Sequence, residues 1–214
     1  MWTRTPIALA LIAMVATAAP AQSVAELAVG EDSRVWIEGT TNLSGWSCSA
    51  TAVDATIAVE VAFKEDRDFP RYLKRVQVRV PVSALKCGHA QMEKSLRHAL
   101  RADDATRPAY ITATFDAVRD GSDTTKALTV STIGALAIAG QENSVTMDVG
   151  TTRLADGTIE ARGTVPILMS DFGIQPPTAL FGALRAGNRV IVKFAMRLGP
   201  EAIAAMAARC SVAR

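Results

Sequence analysis

The stretch "VPILMSDFGIQPPTALFGALRAGNRVIVKFAMRL" (165–198) decides the fold. Its final residues place Val190, Val192, Phe194, Met196 and Leu198 at every second position, the signature of a strand with one buried face. Its first residues, Val165 to Met169, form a second strand-like run. Between them lies Asp171-Phe172-Gly173, which in a protein kinase holds magnesium. That role also needs a Gly-rich loop, a Val-Ala-Ile-Lys strand and a His-Arg-Asp loop, and the sequence contains none of them. A Walker-type phosphate loop is missing as well. Gly173 instead permits a sharp bend, and Pro176-Pro177 stops any ladder. Ala179, Leu180, Phe181 and Leu184 are apolar where a connection is expected to be polar, so they are expected to cap the end of whatever the strands build.

The same alternation extends outward through the chain. Ile57, Val59, Val61 and Phe63 share one face, as do Val76, Val78, Val80 and Val82. Ile111, Ala113, Phe115 and Ala117 follow, then Val145, Met147 and Val149, then Ile159 and Ala161. With runs 35–41 and 128–138 this predicts about eight strands. The turn-forming stretches "RDGSDTT" (119–125), "AGQENS" (139–144), "ADGT" (155–158) and "RAGN" (185–188) separate them. Short connections imply antiparallel neighbours. Two segments depart from the pattern. "GHAQMEKSLRHAL" (88–100) sets Met92, Leu96 and Leu100 on one side of an amphipathic helix, and "PEAIAAMAARC" (200–210) opens with Pro and Glu as a short terminal helix does. The expected fold is all-β: an eight-stranded antiparallel up-and-down β-barrel with these two helices. A sandwich is the alternative. A barrel of eight strands has room inside for side chains or for one small ligand.

The N-terminus reads as an export signal. Arg4 precedes an apolar run from Pro6 to Ala18, and Ala19-Pro20-Ala21 fits signal-peptidase cleavage. That run is short of the ~20 residues needed to span a bilayer. Residues 1–21 are therefore expected to be removed, leaving 22–214 as one exported domain with no membrane span. Removing the signal takes one of the 23 basic residues, Arg4, and leaves 21 acidic ones, so no global field favours nucleic acid.

The chain has three cysteines, Cys48, Cys87 and Cys210. In an oxidising compartment one disulfide and one leftover thiol is the natural arithmetic. Cys48 and Cys87 belong to strand-like segments and Cys210 to an Ala-rich tail, which favours Cys48–Cys87; three free thiols is the alternative. His89 and His98 are the only histidines, and their spacing from each other and from Cys87 does not match metal-ligand geometry. No cofactor is implied. Arg67, Arg71, Lys74, Arg75 and Arg79 form a local basic cluster, but aromatics for base stacking are scarce, so a solvated face is expected.

Several stretches, in order, resemble the YceI-like family. They are "SRVWIEGTTNLSGWSC" (33–48), "VPVSAL" (80–85), "MEKSLRHALRADDATRPAYITATF" (92–115), "GALAIAGQENSVTMDV" (134–149), "GTVPILMSDFGI" (163–174) and "VIVKFAMRL" (190–198). The resemblance covers roughly residues 33 to 198; Gly39-Thr40-Thr41 and Trp46-Ser47-Cys48 depart from the family's opening pattern and mark a divergent branch. It implies a periplasmic protein with a lipocalin-like barrel and no catalytic residues, whose apolar interior takes an isoprenoid-type lipid such as a polyprenyl quinone. On that reading Ile111, Phe115, Leu136, Ile138, Phe172 and Phe194 form the ligand-binding wall, with Leu180 and Phe181 at the mouth. A homodimer is left open. Two rivals remain: a filled-barrel interaction or structural module without a lipid, and a barrel enzyme, which would need an ionisable cluster inside.

Overall fold

The computed structural model describes residues 32–59, 73–103, 109–117 and 127–212. The expected signal peptide, the turn at 119–125, Val61, Phe63, Arg67 and Arg71 lie outside them, as do the side chains of Lys74, Leu180 and Cys210. The strands are β1 (Arg34–Thr41), β2 (Gly45–Ala50), β3 (Asp54–Val59), β4 (Leu73–Pro81), β5 (Leu85–Lys86) and β6 (Tyr110–Ala117). They continue with β7 (Ala127–Ile138), β8 (Gln141–Arg153), β9 (Ile159–Leu168), β10 (Thr178–Ala179) and β11 (Leu184–Leu198). Helix α1 (Ala90–Ala99) follows β5, and α2 (Pro200–Val212) ends the chain.

The strands form one curled antiparallel sheet in the order β3-β4-β6-β7-β8-β9-β11-β1-β2-β5, with β10 on β11. Successive long strands are neighbours, and the last of them returns to pair with the first, which is the up-and-down order expected of the fold. The ladder is interrupted at one place: β2 and β3 follow each other in the chain, yet among the described residues no hydrogen-bonded pairing joins them. The sheet is therefore a half-barrel with one seam, not a fully closed cylinder.

Eleven strands replace the expected eight. Two of the additions, β5 and β10, are only two residues long. The third, β2, has the sequence GWSCSA, whose small polar residues mask its alternation, and it pairs along β1 from Thr40↔Gly45 to Val35↔Ala50. The expected turn at 185–188 is also corrected, because those residues belong to β11. Asn188 donates from Nδ2 to Ser170 Oγ at 2.9 Å and accepts the Ser170 N–H at 3.0 Å, so its polar side chain serves a neighbouring turn while its backbone stays extended. At 139–144 the turn shrinks to Ala139-Gly140, both at positive φ (51° and 81°), the geometry that matches strand twist in a two-residue hairpin.

Period two governs which side chains enter the barrel. Val130, Leu136 and Ile138 of β7 are buried, whereas Ile133 between them is half exposed on the outer wall. Val35 and Ile37, Ile57, Val80, Phe115, Met147, Ile159, Val165, Val190 and Leu198 are buried inward residues of the other strands. Helix α1 lies across one end, with Leu96, Ala99 and Leu100 packed on the interior cluster. The buried Ile203 of α2 gives the terminal helix its anchor.

Candidate functional site

The inward faces enclose a lumen in two parts. An upper chamber of about 630 Å³ lies under α1 and among the ends of β1, β2, β9 and β11. A lower chamber of about 180 Å³ continues along β3, β4, β6, β8, β9 and β11. Val35, Val80, Ile111, Leu136 and Val192 face both chambers and form the waist between them. The combined space runs along β11 from Leu184 to Leu198, the whole length of that strand.

Most of the polar lining residues gather at the upper end. Thr41, Ser44, Ser47, His89, Gln91, Ser95 and Thr178 line the mouth, between the β1–β2 turn, the first half of α1 and β10. In the upper chamber His89 is the one side chain able to carry charge among the described lining residues. The lower chamber has Arg197, and its guanidinium is turned to carboxylates: Nε donates to Glu160 at 2.9 Å and Nη1 reaches Asp32 at 3.3 Å. Thr132 is buried there too, but its hydroxyl donates to Met147 O at 3.1 Å, so no polar demand is left open. Such a lumen can solvate hydrocarbon and offers neutral hydrogen-bonding groups at one end. Among the described lining residues, neither chamber has a pair of ionisable side chains for acid–base chemistry.

Three aromatic side chains inside the barrel lie across glycines. Phe194 pairs with Gly163, Phe115 with Gly134 and Trp46 with Gly39, each in direct cross-strand register. A Cβ on any of these glycines would overlap the partner ring. The absent side chains let each ring fold against the wall, and that leaves space at the axis. Volume opposite a large ring is thus set by the residue across the ladder.

The structure brings six of the expected wall residues to the lumen. Ile111 and Leu136 form part of the waist, Ile138 and Phe172 line the upper chamber, and Phe115 and Phe194 line the lower one. The Asp-Phe-Gly triplet is a turn: Met169–Phe172 make one 3-10 turn, ended by Gly173 in the left-handed region (φ 64°). Phe172 is 2% exposed and packs inward, whereas Asp171 points to solvent and its carbonyl accepts from Asn143 Nδ2 at 2.7 Å. Phe181 is fully exposed and does not line either chamber; its neighbours Ala179 and Leu184 do. The side chain of Leu180 is outside the described residues. Sequence reasoning did not place Trp46 or the inner face of α1 at the site, although the i, i+4 spacing of Met92 and Leu96, both lining residues, carried the signal for the latter.

A disulfide joins Cys48 of β2 to Cys87, just after β5, beside the mouth. Glu93 of α1 accepts the Cys87 N–H at 3.1 Å, so the bridge and the helix start are tied together. Of the basic cluster, Arg75 pairs with Asp116 at 2.7 Å on the outer wall, and Arg79 stacks over the Tyr110 ring at 4.4 Å. At the far end, Arg162 and Arg197 both donate to Glu160, whose side chain is 8% exposed, and the two hydrogen bonds hold its carboxyl below the usual range. Among the described residues there is no group of three or more potential metal ligands, and no helix is long and apolar enough to cross a membrane.

The family profile for the YceI-like domain matches residues 20–198. Among solved structures the fold is similar to BcnA of Burkholderia cenocepacia, with a TM-score of 0.61 and 16% identity over 79% of this chain and 99% of that one. It is also similar to a polyisoprenoid binding domain from Saccharophagus degradans implicated in plant cell wall breakdown, with a TM-score of 0.59 and 12% identity over 79% of this chain and 95% of the other. No curated protein sequence matches significantly.

Proposed function

We propose that this protein, which belongs to the YceI-like family, holds one isoprenoid-type lipid lengthwise in its lumen and carries or sequesters it in the periplasm without catalysis. The observation that carries this reading is the two-chamber lumen, about 630 Å³ and about 180 Å³, joined through a shared apolar waist. A filled barrel would leave no such volume. The hydrocarbon chain occupies the lower chamber and the waist, and the polar end of the lipid lies among Ser47, His89, Gln91 and Ser95. Each methylene-sized group moved out of water contributes about 0.8 kcal/mol, so a chain of several isoprene units binds without a strong polar anchor. The binding of polyisoprenoid by the similar Saccharophagus domain supports the ligand class. The signal-like sequence at 1–21 supports the compartment.

Trp46 lines the upper chamber and serves as the reporter. Titration with a polyprenyl quinone is expected to quench its fluorescence saturably at one equivalent, and a polyprenol without the quinone ring is expected to compete. Absence of saturable binding for both lipids refutes the proposal.

A further inference from the structure

Two turns make up one rim of the mouth, and each displays an apolar side chain that the protein leaves uncovered. The first joins β1 to β2 and carries Leu43, which is 77% exposed. The second joins β10 to β11 and carries the fully exposed Phe181. Three hydrogen bonds fasten them into one platform. Asn42 Nδ2 donates to Ala183 O at 2.9 Å, Asn42 N to Arg185 O at 3.1 Å, and Arg185 N to Asn42 Oδ1 at 2.9 Å. Directly inside it, Thr41, Ser44, Trp46, Ala179 and Leu184 line the upper chamber. The two apolar tips therefore stand at the entrance to an apolar lumen.

The display of Phe181 has a backbone cost. The residue sits at φ 55°, ψ 32°, a left-handed conformation that is rare for a bulky side chain. Arg185 Nε donates to Gly182 O at 2.9 Å and holds the turn in that shape. Charge narrows the partner. Within 40–46 and 174–186 the sequence has no acidic residue and one basic residue, Arg185. Two apolar tips with one guanidinium beside them match the surface of a phospholipid bilayer, where the tips enter below the head groups and the cation meets phosphate. A stable protein–protein contact would call for a broad buried patch of about 800 Å² per partner, whereas the described rim displays two exposed apolar side chains.

We infer that the Leu43–Phe181 rim is a bilayer-docking site, which sets the mouth against the membrane so that an apolar ligand passes between bilayer and lumen without crossing water. The purpose of the site rests on the lipid-holding reading; its test does not. The probe is flotation of the purified protein with vesicles of phosphatidylethanolamine and phosphatidylglycerol that contain no isoprenoid. The wild type is expected to co-float, and the double variant Leu43→Ser/Phe181→Asn to partition about tenfold or more weakly, since both buried side chains are lost. Asn accepts the left-handed backbone at 181, so the turn is retained. Ile133→Ser, on the exposed outer wall of β7, is expected to float as the wild type does. All three proteins are expected to show equal Trp46 quenching by quinone delivered from solvent, which separates a failure of docking from a failure of lipid binding. A wild type that stays in the aqueous fraction overturns the inference, as does a double variant that floats undiminished. Self-association that the double variant abolishes, without vesicle binding, also overturns it and assigns the rim to a second copy of the chain.

Discussion

Replacing Gly163 with valine tests whether the ligand chain reaches the lower chamber. Gly163 of β9 is the register partner of Phe194 on β11, and both face inward. A Cβ at 163 would overlap the ring at Cε1 and Cζ, so the ring has to move about 1 Å or more to regain ordinary carbon–carbon contact. The wall stands behind it, and Met147 and Val165 pack with Phe194 on that face. The ring therefore swings into a chamber of about 180 Å³. The displaced ring and the valine methyls together exclude about two to three methylene-sized groups of ligand, a loss of about 2 kcal/mol in binding, or ~30-fold in Kd. Overpacking is expected to lower stability by about 1–3 kcal/mol as well. Quinone titration by Trp46 quenching measures the first effect and thermal unfolding checks that the variant is folded. Gly163→Val/Phe194→Leu shrinks the ring that was displaced and is expected to recover most of the affinity. A folded Gly163→Val protein that binds as tightly as the wild type refutes the placement of the chain below the waist.

Two further expectations concern stability. Glu160 has its carboxyl lowered by hydrogen bonds from Arg162 and then Arg197, so its contribution is complete above the unfolded carboxylate value of about 4.3 and is lost as pH falls through the lower folded value. Thermal melts of the wild type should therefore drop more steeply below about pH 4 than those of Glu160→Gln, with the variant less stable at neutral pH; parallel pH profiles would remove Glu160 from this role. The Cys48–Cys87 bridge spans a sequence separation of 39. Its removal in a Cys48→Ala/Cys87→Ala protein is expected to cost about 3–4 kcal/mol in denaturant unfolding, and an unchanged midpoint would contradict that.

Most of the barrel could be read from alternation, because each long strand buries one face only. Ile111 and Phe115, Val145 and Met147, and Val190 to Leu198 all face the side that the sequence assigned to the interior. The same logic failed where polarity and backbone geometry diverge. In β2 the alternating partners of Trp46, Cys48 and Ala50 are serines, and small residues on both faces hide a strand. At 185–188 Gly and Asn looked like a turn, yet Gly187 sits beside Thr40, at a register irregularity between β1 and β11, and Asn188 caps the Asp-Phe-Gly turn. Phe181 was assigned to the mouth from its apolar character in a connection and from the family resemblance, yet its ring lines neither chamber. The direction of its ring depends on a positive φ that no sequence pattern announces. Whether the barrel is hollow was equally hidden, since it depends on which glycines lie across from Phe115, Phe194 and Trp46. That is a property of register between strands as far as 31 residues apart, such as Gly163 and Phe194.

The most direct test of lipid carriage is native mass spectrometry of the full chain, expressed with its own N-terminus and recovered from the periplasm, followed by organic extraction and lipid identification. The account predicts a stoichiometric adduct that releases an isoprenoid-type lipid. A protein that emerges without lipid, and takes up no polyprenyl quinone when one is supplied, would contradict it.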